Sequence, residues 1–514
     1  MAQDRFQEAL TEAKKIDELL AEFRSGKSET EFSSDEQEML KSPLLGVPIS
    51  VKESIKVKGM KNSCGMWSKR DVVAEEDSVV VKNARRFGLI PICTTNIPEA
   101  TLYWADCQNL VYGRTVNPHD LSRISGASSG GEAALLSAGG SVVGIGSDMA
   151  GSLRIPAHFC GICSHKPSSF LVSPVGNEPE ILQSRLRLFT LGPMSRYASD
   201  LRYLLKCFLS DKDNDKRDTY VKHQPHDIAT LRQSVMQKLD ESTDLSKLKF
   251  YYFNPDNCGL TGKNEIKVLP DYMEAQAEVL DHFRSKFNCQ IEELNLDKFL
   301  KLALITWNCM VKAAGTIDRD ETYVEGEMLK FFEIENKTLE MIKIPLGLSK
   351  HTKESILALL IGSKIPDERE KAFKICEKFE KKAAEMKAEL EQILGDNGIL
   401  LLPTMPTVAY KHNVALMKTP DLRFPTLANV CQLPVTHVNL KLDRKNNLPF
   451  GVTIAAVPYN DVLTLSVGEE IEQTFGGWVP PTKSQIPLKM DEPVEQQQEN
   501  VASSNVNIAI EAKM

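Results

Sequence analysis

Residues 126–156 read GASSGGEAALLSAGGSVVGIGSDMAGSLRIP, and the interpretation of this stretch decides the predicted fold. Glycine and serine make up nearly half of it, a composition typical of a flexible linker. They are interleaved with apolar runs that are typical of a buried core, and the stretch contains no histidine. The pattern therefore leaves two interpretations, a glycine-rich loop or a serine active site that works without a histidine base.

Strands and helices are predicted to alternate around this stretch. Residues 130–136 are predicted to start a helix, and residues 141–146 to form a buried strand. Upstream, residues 46–52 read GVPISVK, in which apolar and polar residues alternate, so a short strand is expected to end at Lys52. Alternating strands and helices indicate an α/β fold built around one large sheet.

Composition and charge exclude several classes of protein. A chain of 514 residues with 42% hydrophobic and 26% charged residues is typical of a globular protein. Its net charge of −8 argues against a nucleic-acid partner or an anionic membrane bound by bulk charge. The 11 cysteines are scattered and odd in number, and no secretory signal precedes them. This pattern predicts reduced thiols and a cytoplasmic location.

Two motifs that indicate other chemistry are incomplete. Residues 146–151 have the glycine spacing of a P-loop, but Ser152 and Leu153 stand where its lysine and hydroxyl residue belong. Cys160 and Cys163 form a single CxxC pair, without the second pair that a zinc site needs. The sequence therefore predicts neither a cofactor nor a metal ion.

A serine nucleophile needs a base that takes its proton and donors that stabilise the oxyanion. Lysine serves as the base in Ser-Lys sites, provided that its pKa is lowered by burial or nearby positive charge. Lys52 is the candidate base, although a strand-end lysine more often points into solvent. Ser152 is the candidate nucleophile, and Ser128, at an earlier glycine-rich turn, is a candidate proton relay. The residues alone leave both serines open as ordinary turn or cap residues.

The sequence resembles the amidase signature family over roughly residues 4–485. Residues 126–133 and 144–156 match the family's long glycine- and serine-specific pattern, and residues 46–53 resemble its lysine strand. Shorter motifs follow in the expected order at residues 95–99, 112–118, 165–167, 192–196, 402–406 and 475–481. Within the family the likeness is strongest to animal fatty-acid amide hydrolases of the second type. The resemblance implies an α/β/α fold with a large mixed twisted sheet surrounded by helices.

The resemblance also implies a Ser-Ser-Lys triad. Ser152 is then the acylated nucleophile, Ser128, at a cis peptide in this family, moves the proton, and Lys52 is the ultimate base. The backbone amides expected in the oxyanion hole are those of Met149, Ala150, Gly151 and Ser152, and the expected supporting residues are Ser129, Asp148 and Arg154. Ala150 replaces the glycine that the family more often has there. His158 occupies a position that is usually apolar or aromatic, and we expect it to pack rather than react.

Three segments are predicted along the chain. Residues 1–42 are expected to form an amphipathic helix followed by a polar, mobile connector over 25–41. Residues 43–485 form the predicted catalytic domain, and residues 486–514 have the composition of a disordered tail. The resemblance further implies that the chain starts after the membrane anchor and the first helices of longer relatives.

The expected activity is hydrolysis of carboxylic amides, such as those of fatty acids, through an acyl-enzyme. Apolar segments 328–332, 344–348 and 356–361 are candidates for an acyl channel or a membrane contact, or simply for covering the sheet. An esterase or small-amide hydrolase with the same triad and a catalytically impaired scaffold stay open as alternatives. The expected partner is a small amide substrate and not a nucleic acid, while peripheral membrane contact and a homodimer stay open. The C-terminal residues 512–514 faintly resemble a peroxisomal signal.

Overall fold

A computed structural model describes residues 1–181, 185–210, 227–257, 267–314, 337–346, 348–353, 355–356 and 369–482. Its helices are α1 (Phe6–Arg24), α2 (Ser34–Lys41), α3 (Val79–Arg86), α4 (Gly130–Ser137), α5 (Arg154–Cys160), α6 (Ala198–Leu209), α7 (Ile228–Lys238), α8 (Pro270–Phe287), α9 (Asp297–Ala314), α10 (Lys337–Lys343), α11 (Arg369–Leu394), α12 (Arg423–Val430) and α13 (Asp461–Phe475). Its strands are β1 (Gln3–Asp4), β2 (Pro48–Lys52), β3 (Ile90–Thr95), β4 (Cys107–Asn109), β5 (Gly113–Asn117), β6 (Asp120–Ile124), β7 (Val143–Asp148), β8 (Cys163–Lys166), β9 (Thr190–Ser195), β10 (Lys249–Tyr252), β11 (Gln290–Glu293), β12 (Gly398–Pro403), β13 (Val435–Leu442) and β14 (Pro449–Ala455).

Among the described strands, eleven form one mixed sheet in the order β1-β3-β2-β7-β9-β8-β13-β14-β12-β10-β11. β2 runs parallel to both β3 and β7, and β10 runs parallel to both β11 and β12. The strands between β7 and β12 pair antiparallel, and β4, β5 and β6 form a separate small sheet. The prediction of a large mixed sheet surrounded by helices is confirmed.

The large sheet is buried on both faces, as strand β12 illustrates. Ile399 and Leu401 belong to one apolar cluster, whereas Leu400 and Leu402 belong to a second cluster. Successive side chains of a strand point to opposite faces, so the two clusters lie on opposite sides of the sheet. Burial on both faces explains why this strand reads as a continuous apolar run rather than as an alternating pattern.

The parallel pairing of β2 and β7 brings the two halves of the site together. The strand predicted to end at Lys52 is β2, the predicted helix after Ser129 is α4, and the predicted buried strand is β7. Ile49 and Val51 of β2 pair with Val143 and Ile145 of β7. Because the carboxyl ends of parallel strands meet at the same edge of a sheet, Lys52 lies beside the loop that follows Asp148.

The N-terminal segment differs in part from its prediction. The amphipathic helix is present as α1, and β1 before it pairs with β3. The connector predicted over 25–41 contains helix α2 instead, because Ser33 and Glu36 form a capping box that satisfies its first amides. Part of the apolar stripe of α1 stays exposed, including Phe6 and Phe23.

Several sequence predictions fall outside the described residues. These are the disordered tail over 486–514 with its C-terminal signal, the apolar segment 328–332 and most of segment 356–361. Residues Met1–Pro480 form one compact unit, and the predicted division into 1–42, 43–485 and 486–514 stays a prediction. In the part of the chain that the structure describes, no helix combines the length and apolar character needed to cross a bilayer.

Candidate active site

Lys52 ends β2 with a side chain that is 0% exposed. Its Nζ donates to Ser128 Oγ at 2.5 Å and to Ser147 Oγ at 2.8 Å. Both partners are neutral hydroxyls, and Lys52 makes no ion pair with any residue that the structure describes. Burial without a carboxylate in contact lowers its pKa from 10.5 to about 7. This lysine is therefore able to lose its proton near neutral pH.

Ser128 lies in the turn between β6 and α4, after a cis peptide bond that joins it to Ala127. The next residue, Ser129, holds this turn in place. Its Oγ accepts from the Ser147 amide and also lies 3.3 Å from the Ser147 carbonyl oxygen. Its backbone N–H donates to the Ser152 carbonyl oxygen at 3.3 Å. Ser129 thus joins the turn to both β7 and the loop that carries Ser152.

Ser152 stands in the loop between β7 and α5 and is partly exposed. The structure brings Lys52 and Ser128 into direct contact, whereas no hydrogen bond joins the hydroxyls of Ser128 and Ser152 among the residues described. Ser152 is tied to the other two through the backbone contact with Ser129. The Ser152 hydroxyl makes no hydrogen bond within the described residues, so it is available to a reactant.

Asp148 and Arg154 form a buried ion pair beneath this loop. Arg154 Nε and Nη2 each donate to the Asp148 carboxylate at 3.0 Å. The carboxylate also accepts the backbone amides of Gly151 at 2.8 Å and Leu153 at 3.1 Å. Burial would raise the pKa of Asp148, but the Arg154 guanidinium outweighs burial and holds it below its ordinary value. The pair fixes the second half of the loop by charge-assisted hydrogen bonds.

The backbone amides of the loop divide into two groups. Within the described chain, no acceptor takes the amide hydrogens of Met149, Ala150 and Ser152. Gly151 differs from the predicted set of oxyanion donors, because its amide is already donated to Asp148. Amides without acceptors around a partly exposed serine are the feature that an oxyanion hole requires.

His158 on α5 lies close in sequence, and both of its ring nitrogens are engaged. Its Nδ1 accepts the backbone amide of Gly451 at 3.2 Å, which leaves Nε2 as the protonated atom facing the Thr407 carbonyl oxygen at 3.1 Å. Burial lowers its pKa to about 4. The ring therefore packs as the sequence predicts, and it does not offer a free nitrogen as a base.

Four residues in contact with the site were not singled out from the sequence. Ser147 is the second partner of Lys52, and Glu132 accepts from Thr95 Oγ1 at 2.6 Å beneath the lysine strand. Asn429 on α12 bridges Asp148 and Arg154, and Trp307 on α9 donates to the Met149 carbonyl oxygen. Ser147 and Glu132 lie within residues 126–156, so the glycine- and serine-rich pattern there could have indicated them. Asn429 and Trp307 belong to distant helices without a motif.

Comparison with known proteins agrees with this architecture. The model of the family described as Amidase matches residues 5–465, so the chain belongs to the amidase family. Human fatty-acid amide hydrolase 2 is 36% identical over 93% of this chain and 83% of its own length. Zebrafish fatty-acid amide hydrolase 2-A is 33% identical over 95% and 84%. A solved fatty acid amide hydrolase matches the fold with a TM-score of 0.67 and 20% identity, covering 92% of this chain and 78% of that one. The protein is therefore an amide-hydrolysing enzyme.

Proposed function

We propose that this enzyme hydrolyses amides of lipid-like carboxylic acids, with Ser152 as nucleophile, Ser128 as proton relay and Lys52 as base. The observation that carries the proposal is the 2.5 Å contact between Lys52 Nζ and Ser128 Oγ. A buried lysine whose pKa is about 7 is a base matched to neutral pH. Ser128, its hydroxyl partner, would carry the proton between Ser152 and Lys52.

In the acylation step Ser152 Oγ attacks the carbonyl carbon of the amide. Its proton passes to Ser128 Oγ while the Ser128 proton passes to neutral Lys52 Nζ. The carbonyl oxygen becomes an oxyanion that accepts hydrogen bonds from the free backbone amides of the loop. The carbon–nitrogen bond then breaks, and the lysine proton returns through Ser128 to the departing nitrogen. The amine leaves neutral and the acyl group stays on Ser152.

In the deacylation step water attacks the acyl carbon of the ester on Ser152. A water proton passes through Ser128 to Lys52, and the oxyanion forms at the same amides. Collapse breaks the bond between the acyl carbon and Ser152 Oγ, which regains a proton from the relay. The carboxylic acid leaves, and all three side chains return to their starting protonation states.

Two observations support a lipid-like acyl group. The human and zebrafish relatives that match most of this chain are named fatty-acid amide hydrolases. Residues 339–348, on and after α10, expose several large apolar side chains, among them Ile342 at 57%, Leu346 at 64% and Leu348 at 68%. Ile344 of the same segment packs against an apolar cluster that contains Ile97, a residue two positions after Thr95, which pairs with Lys52. An apolar surface near the site is suited to lipid substrates and to peripheral contact with a membrane.

The test is intact-mass labelling with a fluorophosphonate, followed by hydrolysis assays on matched amides and esters of four-carbon and eighteen-carbon acids. We expect one adduct on the wild type, none on Ser152→Ala, and preference for the eighteen-carbon amide. Ser141→Ala is the control, because Ser141 is a buried serine whose hydroxyl lies against the carbonyl oxygen of Val143, near the start of β7.

Three results would contradict the proposal in different parts. No adduct on folded wild type, or an adduct that survives Ser152→Ala, removes Ser152 as nucleophile. Preference for four-carbon substrates removes the lipid-like acyl group and leaves a small-amide hydrolase. Cleavage of esters with no detectable turnover of any amide removes the proposed proton delivery to nitrogen.

A further inference from the structure

We infer that Trp307 is a positioning residue for the oxyanion hole, because its indole N–H fixes the peptide plane that presents the Ala150 amide. This inference rests on the proposed function, in which the loop amides stabilise the oxyanion. Trp307 lies on α9, far along the chain from the loop, and belongs to the part of the sequence that carries no family motif.

The contact is direct and short. Trp307 Nε1 donates to the carbonyl oxygen of Met149 at 2.6 Å. Both side chains are partly buried and pack against the same apolar cluster on one face of the sheet. Indole carries a single donor and no acceptor, so this bond uses its entire hydrogen-bonding capacity. The indole is thus held on the backbone of the loop rather than on another side chain.

The Met149 carbonyl and the Ala150 amide belong to one planar trans peptide. In such a unit the C=O and N–H bonds point in opposite directions, and neither turns without the other. A carbonyl fixed toward α9 therefore fixes the Ala150 N–H in the direction away from α9. That N–H has no acceptor within the described chain, as a donor reserved for a substrate oxygen requires.

The two halves of the loop have different anchors. Asp148 accepts the amides of Gly151 and Leu153, which fixes the second half. Its carboxylate takes no amide from Met149 or Ala150. Trp307 supplies the side-chain hydrogen bond to the first half, and α9 in turn packs against α12 and α11. A rigid helix layer outside the signature thus sets the direction of an oxyanion donor.

Trp307→Phe keeps an aromatic ring and removes the N–H. Removing an oxyanion donor outright lowers kcat by about 100- to 1,000-fold, and releasing its orientation is expected to lower kcat by roughly 10-fold. The oxyanion exists only after attack, so kcat and kcat/KM should fall together while KM changes less than about twofold. Reaction with the fluorophosphonate should slow by a similar factor, since the phosphonyl oxygen occupies the same hole.

The experiment measures kcat, KM and the phosphonylation rate for wild type, Trp307→Phe and Trp478→Phe. The Trp478 indole also donates to a backbone carbonyl, that of Ser137 at 3.1 Å, at the far end of α4. It therefore controls for loss of an indole hydrogen bond elsewhere. If Trp307→Phe folds poorly, benzothienylalanine at position 307 keeps the shape of indole and lacks only the N–H.

The outcomes separate this inference from the proposed function. A fall in kcat with constant KM in Trp307→Phe, absent from Trp478→Phe, supports the inference. Equal kinetics for the two variants, or a rise in KM alone, overturns it and leaves Ser152 chemistry intact. Failure of the wild type to form an adduct at Ser152 overturns the proposed function itself, whatever the state of position 307.

Discussion

Two buried basic side chains, Lys52 and Arg154, lie close to the loop that carries Ser152, and their partners differ in kind. Lys52 donates to two neutral hydroxyls, and burial lowers its pKa to about 7. Arg154, 1% exposed, is paired with the Asp148 carboxylate and keeps its charge. Both side chains are almost fully buried, so the difference lies in the side chains and their partners together: an amine that donates to neutral hydroxyls can lose its proton, whereas a guanidinium stays protonated and holds its carboxylate partner.

This difference has opposite consequences for stability. A lysine that is neutral in the folded protein and charged in the unfolded chain favours unfolding near neutral pH. A buried ion pair behaves differently: removing one partner lowers the free energy of unfolding, because the other charge is then buried without a counter-charge. Substitution of Lys52 should therefore raise stability while it lowers activity. Substitution within the Arg154 ion pair should lower both.

The largest effect is expected from Lys52→Met. If Lys52 is the general base, as proposed, its loss should lower the rate of acylation by about 100- to 10,000-fold. The pKa of Lys52 is about 7 in the folded state and 10.5 in the unfolded chain, so wild type loses stability as the pH falls from 10.5 to 7. Methionine removes this penalty, and the variant should gain at least about 1 kcal/mol at pH 7.

Urea unfolding of both proteins at pH 7 and pH 10 checks the sign. The gain in free energy of unfolding should be larger at pH 7 and should fade toward pH 10. A variant that is less stable than wild type at pH 7, or that keeps the wild-type acylation rate, contradicts the assignment of Lys52 as a neutral buried base.

The second-largest effect is expected from Asp148→Asn, on the free energy of unfolding. The Arg154 guanidinium would stay buried without its counter-charge, which lowers the free energy of unfolding by about 3–5 kcal/mol. The matched control is Asp271→Asn, because Asp271 pairs with Arg444, a residue that is 68% exposed, and such pairs contribute about 0–1 kcal/mol. Equal urea midpoints for the two variants would show that the buried pair is not the anchor.

The third-largest effect is expected from Gly151→Ala, on the rate of phosphonylation. Gly151 has φ +108°, and a Cβ there would lie 2.5 Å from Pro425 Cβ on α12, so the loop must shift. A displaced loop should slow phosphonylation by about 10- to 100-fold. Gly26→Ala is the control, since Gly26 has φ +92° with open space around it and tests backbone strain alone. Equal phosphonylation rates in the two variants would mean that the loop tolerates the collision.

Much of the Lys52 region was predictable from the sequence, because its parts are local. Strand β2, helix α4 and strand β7 follow from alternation, glycine stops and apolar runs. Parallel pairing then brings Lys52 to the loop after β7. The residues alone gave Ser128 as a candidate relay for Lys52 and left it open as an ordinary turn residue, and the resemblance implied the relay. The prediction for residues 25–41 missed helix α2 (Ser34–Lys41), whose capping box lies within a polar segment.

The contacts that helices α9 and α12 make with the loop could not be predicted in the same way. Asn429 and Trp307 reach the loop from α12 and α9, and each acts through a single polar group on an otherwise ordinary helix. Neither stands in a motif, and helix packing alone decides which residue faces the loop. Sequence reasoning also could not decide the role of the Gly151 amide, because the same backbone amide can face a substrate or a side-chain carboxylate.

The smallest effect tests how the charge of Lys52 is set. Glu132 is fully buried on α4, where it accepts from Ser50 and Thr95, and burial raises its pKa to about 7. Ser50 precedes Lys52 on β2, and Thr95 pairs with Lys52 in the sheet. Burial sets the low pKa of Lys52, and the carboxyl groups of Asp148 and Glu132 act against it.

Glu132→Gln removes a carboxyl group that is about half ionised at pH 7, so the pKa of Lys52 should fall slightly. The acid limb of the pH profile of kcat/KM should then move to lower pH, by less than about one unit. Glu53→Gln is the control, because Glu53 is equally buried beside Lys52 in the chain but faces Ser63 and Tyr112. No shift, or equal shifts in the two variants, would mean that burial alone controls the lysine proton, and a shift of the acid limb to higher pH would contradict the expected sign.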